Sequence, residues 1–401
     1  MNEWKKVKLG DCISTKKGFA FKSALYTNCG VPVVRVSDFT LDSVADNDLV
    51  YYPHAEKDRY DEYVLNEGDV LIQTVGSWQY NPNSVVGKVV RVPYYHKGSL
   101  LNQNIVKIIP NNGYNNAFIF YRLKCRDFAG HVLGEARGAA NQASITLDTI
   151  KRFSFDCPLL STQQRIATIL SRYDSLIENY QKQIKLLEEA AQRLYKEWFI
   201  DLRFPGHENT KIVDGVPEGW EKKKLHEIAE VVMGSSPKSE FYNNDKQGLP
   251  FHQGVGSYGT RFVDDNVYST SITRLAEPNS ILFSVRAPVG RLNITKNKII
   301  IGRGLAAMNH KDGFQSFLFY MLKERFFMDN IIGNGSIFAS ISKVELLDQE
   351  FIVPPMKTIK AFESLASKLD KKIQGVDTQL RLLTEARDRL LPKLMSGEIT
   401  V

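Results

Sequence analysis

The sequence predicts an α+β protein in which two mixed α/β globular segments, related by a pseudo-two-fold, are separated by two long helices forming an antiparallel coiled coil. Three observations predict it. Residues 186–199, LLEEAAQRLYKEWF, and 382–395, LLTEARDRLLPKLM, are identical at six of fourteen positions across an offset of 196 residues. Each of these stretches closes a run of apolar heptads. The residues before each run alternate Val- and Ile-rich segments with turn residues and one helix-like stretch, the pattern of a mixed α/β unit.

The repeat covers most of the 401 residues. ASITLDTIKRFSFDCPLL (143–160) aligns with ASISKVELLDQEFIVPPM (339–356), FIFYRLKCR (118–126) with FLFYMLKER (317–325), EGDVLIQTV (67–75) with EPNSILFSV (277–285), and WKKVKLGDC (4–12) with WEKKKLHEI (220–228). Two copies are too few for a solenoid. The expected boundaries are a first globular segment at 1–157, a first long helix at 158–200, a linker and second globular segment at 201–353, and a second long helix with its tail at 354–401. FIDLRFPGHENTKIVDGVPEG (199–219), rich in Pro, Gly and polar residues, marks the linker. EYVLNEGDVLIQTV and VVGKVVRV read as strands and AFIFYRLKCRDFAGHVL as helical. NSILFSV, RLNITKNKIIIG and FQSFLFYMLKERFFMDNII repeat that order.

In the first helix Leu170, Ile177, Ile184, Ala191 and Trp198 recur every seven residues, as do Ile166, Tyr173, Tyr180, Leu187 and Leu194. The second helix has Ala366, Ile373, Leu380, Arg387 and Leu394 beside Phe362, Leu369, Val376, Leu383 and Leu390, and only Arg387 breaks the apolar pattern. This spacing is a coiled-coil seam. Matching seams of equal length predict that the helices pack on each other, and a two-fold relation makes them antiparallel. Pro158 and Pro354–Pro355 precede the helices, with Ser161 and Thr358 as expected caps. Gly375 is expected to weaken the second helix by about 1 kcal/mol, and Pro392 to kink or end it near Leu391.

Composition excludes several classes. With 43% hydrophobic and 24% charged residues the chain can build ordinary cores, so disorder is not expected. No stretch approaches the ~18 apolar residues of a membrane span, and no signal peptide is visible. Cys12, Cys29, Cys125 and Cys157 form no C-x-x-C pair, which points to reduced thiols in the cytoplasm and to no zinc knuckle. Catalytic motifs fail in context. GVGSYG (254–259) matches G-x-G-x-x-G, but neither a buried strand precedes it nor a helix follows it. VGKVV lacks the rest of a P-loop, and YNPNS (80–84) only partly matches the proline turn of adenine methyltransferases. The seven histidines show no metal spacing. No cofactor, metal or catalytic group is therefore expected, and a binding or assembly protein is.

The 52 Lys and Arg against 45 Asp and Glu leave a net charge of +7, which favours a polyanionic partner. Basic and aromatic residues gather on Gly-flanked turns. In the first segment the candidate DNA contacts are Lys16, Lys17, Lys22, Trp78, Gln79, Arg137, Asn141 and Gln142. In the second they are Lys238, Arg261, Arg286, Arg291, Arg303 and Asn334. Arg, Lys, Gln and Asn are the side chains that reach phosphates and base edges, and the arginine fork suits guanine and phosphate alike.

At this point the chain resembles the specificity subunit of a type I restriction-modification system. The residues that carry the resemblance are the two-copy layout, CPLLSTQQRIATILSRYDSLI (157–177), VPPMKTIKAFESLASKLDKKI (353–373), and KEWFIDLRFPGHE (196–208) followed by VDGVPEGWEKKKL (213–225). The second junction has TIKAF where the first has TQQRI. The resemblance implies that each globular segment is a target recognition domain reading one half of a split double-stranded DNA sequence. It implies an antiparallel coiled coil that docks two methyltransferase (modification) subunits carrying S-adenosylmethionine, with ATP-driven restriction subunits joining through them. The chain itself would make no bond and meet no membrane. Two other readings compete: a self-contained DNA methyltransferase or nuclease with degenerate motifs, and a coiled-coil scaffold with no DNA role.

Overall fold

A computed structural model describes residues 4–78, 84–139, 142–327 and 340–401. The chain divides into two compact units, Met1–Asn179 with Leu380–Val401, and Tyr180–Gln379. The division runs through the middle of both long helices, so each unit holds one globular segment and half of each helix.

In the first unit Lys5–Lys8 pairs antiparallel with Ser154–Cys157. A four-stranded antiparallel sheet runs in the order Ile13–Lys17, Ile105–Pro110, Val70–Gln73, Val89–Arg91. Val31–Val34 lies parallel to Leu100–Leu101. The stretch read as helical holds two helices, Asn116–Leu123 and Arg126–Glu135. Cys125 is extended between them (φ −71°, ψ 150°). Asp127 restarts the helix by accepting the Phe128 N–H at 2.9 Å, while the Arg122 guanidinium grips the same carboxylate at 2.7 Å. Local side-chain bonding of this kind competes with helix continuation.

The second unit repeats the plan. Glu221–Lys224 pairs with Glu350–Val353, the four-stranded sheet runs Ala229–Met233, Leu305–His310, Ile281–Ser284, Leu292–Ile294, and Leu249–His252 lies parallel to Ile299–Ile301. The registers agree residue for residue. Thr15 and Val70 both oppose Ile108, and Val231 and Ile281 both oppose Met308. Val70 therefore corresponds to Ile281, one position away from the alignment of EGDVLIQTV with EPNSILFSV. All four residues of each of these central strands are buried. Without an in–out alternation there is no two-residue period to set the register from sequence.

The long helices span Leu160–Phe199 and Met356–Met395, 40 residues each, or about 60 Å at 1.5 Å per residue. They start earlier than the expected caps. The Leu159 carbonyl accepts from Thr162 and Gln163, and the Pro355 carbonyl from Thr358 and Ile359, which puts Ser161 and Thr358 inside the first turn. Pro392 neither ends nor stops the helix, which continues to Met395 and passes the Pro392 carbonyl to Ser396 N–H at 3.0 Å. In a final turn proline forfeits one backbone bond, and the ladder beyond it is too short to be lost.

Along the seam Leu170, Ile177, Ile184, Ile373 and Val376 are buried, and Tyr173, Tyr180, Leu187, Leu194, Leu380, Leu383 and Leu390 are half-buried. In the first unit Ile166, Ala167 and Leu170 share a core with Leu394 and Met395. In the second, Ala191, Tyr195, Trp198 and Phe199 share one with Ile359, Phe362 and Ala366, the Phe199 and Phe362 rings lying 5.1 Å apart. Within each unit the beginning of one helix meets the end of the other, which is antiparallel pairing. The linker is docked through Phe204, buried with its ring 5.2 Å from Trp220.

Hydrogen bonds fasten each sheet unit to the helices. Tyr121 Oη donates to Asp174 of the first helix at 2.5 Å, and its counterpart Tyr320 donates to Asp370 of the second at 2.8 Å. Arginines complete both sites. Arg387 lies 3.0 Å from Asp174 and 3.1 Å from Asp42, whose carboxylate also meets Lys124 at 2.5 Å. The break in the heptad row is thus an ion cluster. Burial alone would make Arg387 easier to deprotonate; the carboxylates of Asp42, Asp174 and Asp388 outweigh it and hold the charge. In the second unit Arg261 lies 2.6 Å from Asp370 and 3.5 Å from Glu188, with its guanidinium 3.8 Å from the centre of the Phe319 ring.

Three outcomes follow from this packing. Gly375 sits on the exposed helix surface, and a Cβ there would meet nothing within 4 Å. Gly375→Ala should therefore raise stability in denaturant melts by about 0.5–1 kcal/mol. Arg387→Ala should cost about 2–3 kcal/mol, because Asp42 and Asp174 stay partly buried without their partner. Acid should act in the same direction. Burial raises the Asp42 carboxyl, but Lys124 and Arg387 overcome this and hold it below the ordinary range. Its contribution is then complete above about pH 4 and fades as pH falls through the lower native value. Melts of wild type and Arg387→Ala between pH 7 and 3 should converge.

Candidate nucleic-acid interface

In the second unit four turns meet at one end of the strands. The strand Ala229–Met233 leads into Gly234, Leu249–His252 into Gln253, and Ile281–Ser284 towards Arg286. Gly302–Arg303–Gly304 joins Ile299–Ile301 to Leu305–His310. Backbone bonds hold them together: Ser235 N–H to Ile301 O at 2.9 Å, Gly304 N–H to Gln253 O at 3.1 Å, and Val285 N–H to Gly304 O at 2.9 Å. Gly234 has to be glycine, since a Cβ would lie 2.1 Å from the Gly302 carbonyl. The turns enclose a cleft of about 210 Å³ lined by Gln253, Gly254, Ser284, Arg286 and Gly304. Gln253, Arg286 and Arg303 are exposed. A guanidinium fork and a carboxamide on a rigid rim can pair with base edges and phosphates.

The cleft wall is stiffened from below. The His252 imidazole, 0% exposed, sits 2.7 Å from Ser257 Oγ on one nitrogen and 2.9 Å from Asp265 Oδ1 on the other. Burial would raise the Asp265 carboxyl; His252 and Asn297 outweigh it and keep it below the ordinary range. The three residue types match a hydrolytic triad, but a sealed imidazole can reach no substrate, and the cluster pins the 253–259 loop. Val255–Ser257 in that loop is a single 3₁₀ turn, so the Gly-rich stretch opens no dinucleotide-binding helix.

Arg291 is exposed on the hairpin that follows Arg286, its N–H bonded to Ser284 Oγ at 2.8 Å. Lys238 is exposed and directly precedes the turn Ser239–Phe241. Arg261 is a correction. Its side chain is 2% exposed and held by Asp370, Glu188 and Phe319, so it is a structural tie and offers nothing to DNA.

In the first unit Trp78, Arg137 and Gln142 come together. Val75–Gly76, Gln142–Ser144 and Arg137–Ala139 form a three-stranded sheet, and the Trp78 indole donates to Ala139 O at 2.9 Å. Arg137 and Gln142 are exposed there. Lys17 and Lys22 are exposed, while Lys16 is half-buried, paired with Glu62 and 4.5 Å from the centre of the Tyr63 ring. Gln79, Asn141 and Asn334 lie outside the described residues. Sequence reasoning missed Gln253. Its signal was a polar residue directly after a buried strand, which only the parallel pairing with Ile299–Ile301 turns into a rim position.

Among the described residues no group of three His, Cys, Asp or Glu could hold a metal, and no helix is long and apolar enough to cross a membrane.

Residues 1–189 and 217–380 match the family described as Type I restriction modification DNA specificity domain. The MjaIX specificity subunit of a type I restriction enzyme from Methanocaldococcus jannaschii is 30% identical over 75% of this chain and 73% of its own length. The HindI specificity subunit from Haemophilus influenzae is 22% identical over the whole of both chains. The crystal structure of a type I restriction-modification S subunit from M. genitalium shares the fold, with a TM-score of 0.59 at 17% identity, covering 98% of this chain and 96% of that one. The chain belongs to the type I specificity-subunit family. It is a DNA sequence-recognition component that acts in a complex with other restriction-modification subunits and is not itself catalytic.

The burial difference between the arginines is measurable. Arg261→Ala strands Asp370 and Glu188 and should lower stability by about 3 kcal/mol in a denaturant melt. Arg303→Ala, on an exposed turn, should leave the same melt within about 0.5 kcal/mol of wild type.

Proposed function

We propose that each globular unit reads one half of an asymmetric, bipartite double-stranded DNA target through the turns at its strand ends. One observation carries this reading: the same sheet, with the same register, occurs twice and bears different side chains on its turns. A shared frame with unlike rims suits two unlike half-sites, and the net charge of +7 suits a phosphate backbone. The contacts we assign are Lys17, Lys22, Trp78, Arg137 and Gln142 in the first unit and Lys238, Arg286, Arg291 and Arg303 in the second. Lys16 contributes less because Glu62 already neutralises it.

Residues 1–157 and 201–353 would be the two target recognition domains. Each long helix starts in one unit and ends in the other, so a change in its length changes the connection between readers. The helices are accordingly the element that sets the unread spacer, and their surface is where two modification subunits dock, with restriction subunits joining through them. The modification subunits bring S-adenosylmethionine and the methyl-transfer chemistry; this chain holds no cofactor of its own and works in the cytoplasm, where the DNA is.

Inserting four residues, about one helical turn, into both helices should lengthen the preferred spacer and leave both half-sites unchanged in methylation sequencing. Altered half-sites with an unchanged spacer would overturn the assignment. Arg286→Ala with Arg303→Ala should weaken DNA binding of the assembled complex by roughly ten- to a hundredfold. The salt slope should fall by about 0.9 for each phosphate contact removed. The purified chain alone should transfer no labelled methyl group to DNA; transfer would favour the methyltransferase reading.

A further inference from the structure

Arg303 stands at the centre of a three-residue turn, and the first unit contains the same turn with different residues. Five backbone hydrogen bonds define it in each copy. Asn102 N–H donates to Val34 O at 3.2 Å as Gly302 N–H does to His252 O at 2.8 Å. Phe19 N–H donates to Leu101 O as Ser235 N–H does to Ile301 O, both at 2.9 Å. Gly18 N–H bonds Ile105 O at 3.0 Å as Gly234 N–H bonds Leu305 O at 2.9 Å. Ile105 N–H closes on Asn102 O at 3.1 Å as Leu305 N–H closes on Gly302 O at 3.0 Å. Thr74 N–H reaches Asn104 O as Val285 N–H reaches Gly304 O, both at 2.9 Å. The close glycine approach is shared as well: a Cβ on Gly18 would lie 2.0 Å from Asn102 O, and one on Gly234 2.1 Å from Gly302 O. The residue at the centre of the first turn is Gln103, exposed as Arg303 is.

We propose that Gln103 is the first unit's counterpart of Arg303, and that these two residues determine one base pair each, Gln103 selecting adenine in the first half-site and Arg303 guanine in the second. This rests on the reading that both units contact DNA. The physical case is rigidity joined to chemistry. Both side chains leave a turn fixed on all sides by strand-end hydrogen bonds, and Thr74 Oγ1 adds a further bond to Asn104 O at 2.9 Å. A reader on such a backbone presents its polar head with little freedom to re-aim, as discrimination between bases requires. A carboxamide matches the N6 donor and N7 acceptor of adenine, and a guanidinium matches the O6 and N7 acceptors of guanine. Neither Gln103 nor the turn 102–104 stands out in sequence. QNI and RGL share no residue, and only the paired strands on either side place them at one position.

The test uses the full chain assembled with its modification subunits, read by methylome sequencing of a host carrying them and by methyl transfer to matched and singly substituted DNA. Gln103→Ala should relax discrimination at a single adenine-containing position of the first half-site by roughly ten- to a hundredfold and leave the second half-site intact. Gln103→Arg should shift that one position towards guanine. Arg303→Ala should do the equivalent in the second half-site alone, and unchanged thermal melts would confirm that the exposed substitutions fold. Methylation motifs unaltered by both Gln103 substitutions, while Arg303→Ala changes the second half-site, would overturn the assignment of Gln103 and leave the two-reader function standing. A complex carrying Arg286→Ala, Arg303→Ala and Gln103→Ala together that binds DNA and methylates the same motif as the wild-type complex would refute that function itself.

Discussion

A tyrosine hydroxyl bonded to an aspartate on a long helix is the constraint on which both units depend. Tyr121 to Asp174 and Tyr320 to Asp370 are the same contact made twice, from the helix that closes each sheet to the helix that carries it. A carboxylate held this far from solvent must be neutralised as well as hydrogen-bonded. The two units meet that demand differently. Asp174 is met by Arg387, arriving from the second long helix, and Asp370 by Arg261, arriving from the globular segment. In both cases one cluster joins three parts of a unit, the sheet segment and both helices, so the orientation of the strand ends is tied to the helix pair.

That tie gives the turns their value. A recognition residue on a loosely attached domain would have to be ordered when DNA binds, at a cost in affinity. Here the strands end against one another, their last carbonyls are shared between neighbouring turns, and a buried imidazole fixes the loop beside the cleft. The polar heads of Arg286, Arg303 and Gln253 vary the chemistry of the rim while the frame beneath stays the same.

The repeat, the heptad rows and the antiparallel pairing were legible in the sequence because each depends on periodicity, and periodicity survives divergence in the residues between. The Tyr–Asp contact was half legible: FIFYRLKCR and FLFYMLKER aligned, as did the YDSLI and LDKKI segments, but nothing in either pair said that they touch. Register in the central strands was not legible. VLIQ and ILFS are buried on both faces, and the burial that makes them a core removes the alternation that would have aligned them. Arg261 misled for a similar reason. Burial is a property of the whole unit, and an arginine in a polar stretch reads the same whether it faces water or a carboxylate. Pro392 and Gly375 both lie in a helix that runs through them, because a proline in the final turn forfeits one backbone bond and a single glycine weakens a 40-residue helix without ending it.

By itself, then, the sequence determined how many units there are, which segments are helical rods, what faces the seam, and which family the chain belongs to. Those are consequences of spacing along one dimension. The tertiary structure alone decided which polar residues are buried in ion pairs and which stand exposed on the turns, and that the turns at 102–104 and 302–304 occupy one position in two copies. The reason is that ion pairing, burial and strand register all depend on distances between residues far apart in the chain, and no local pattern encodes such a distance.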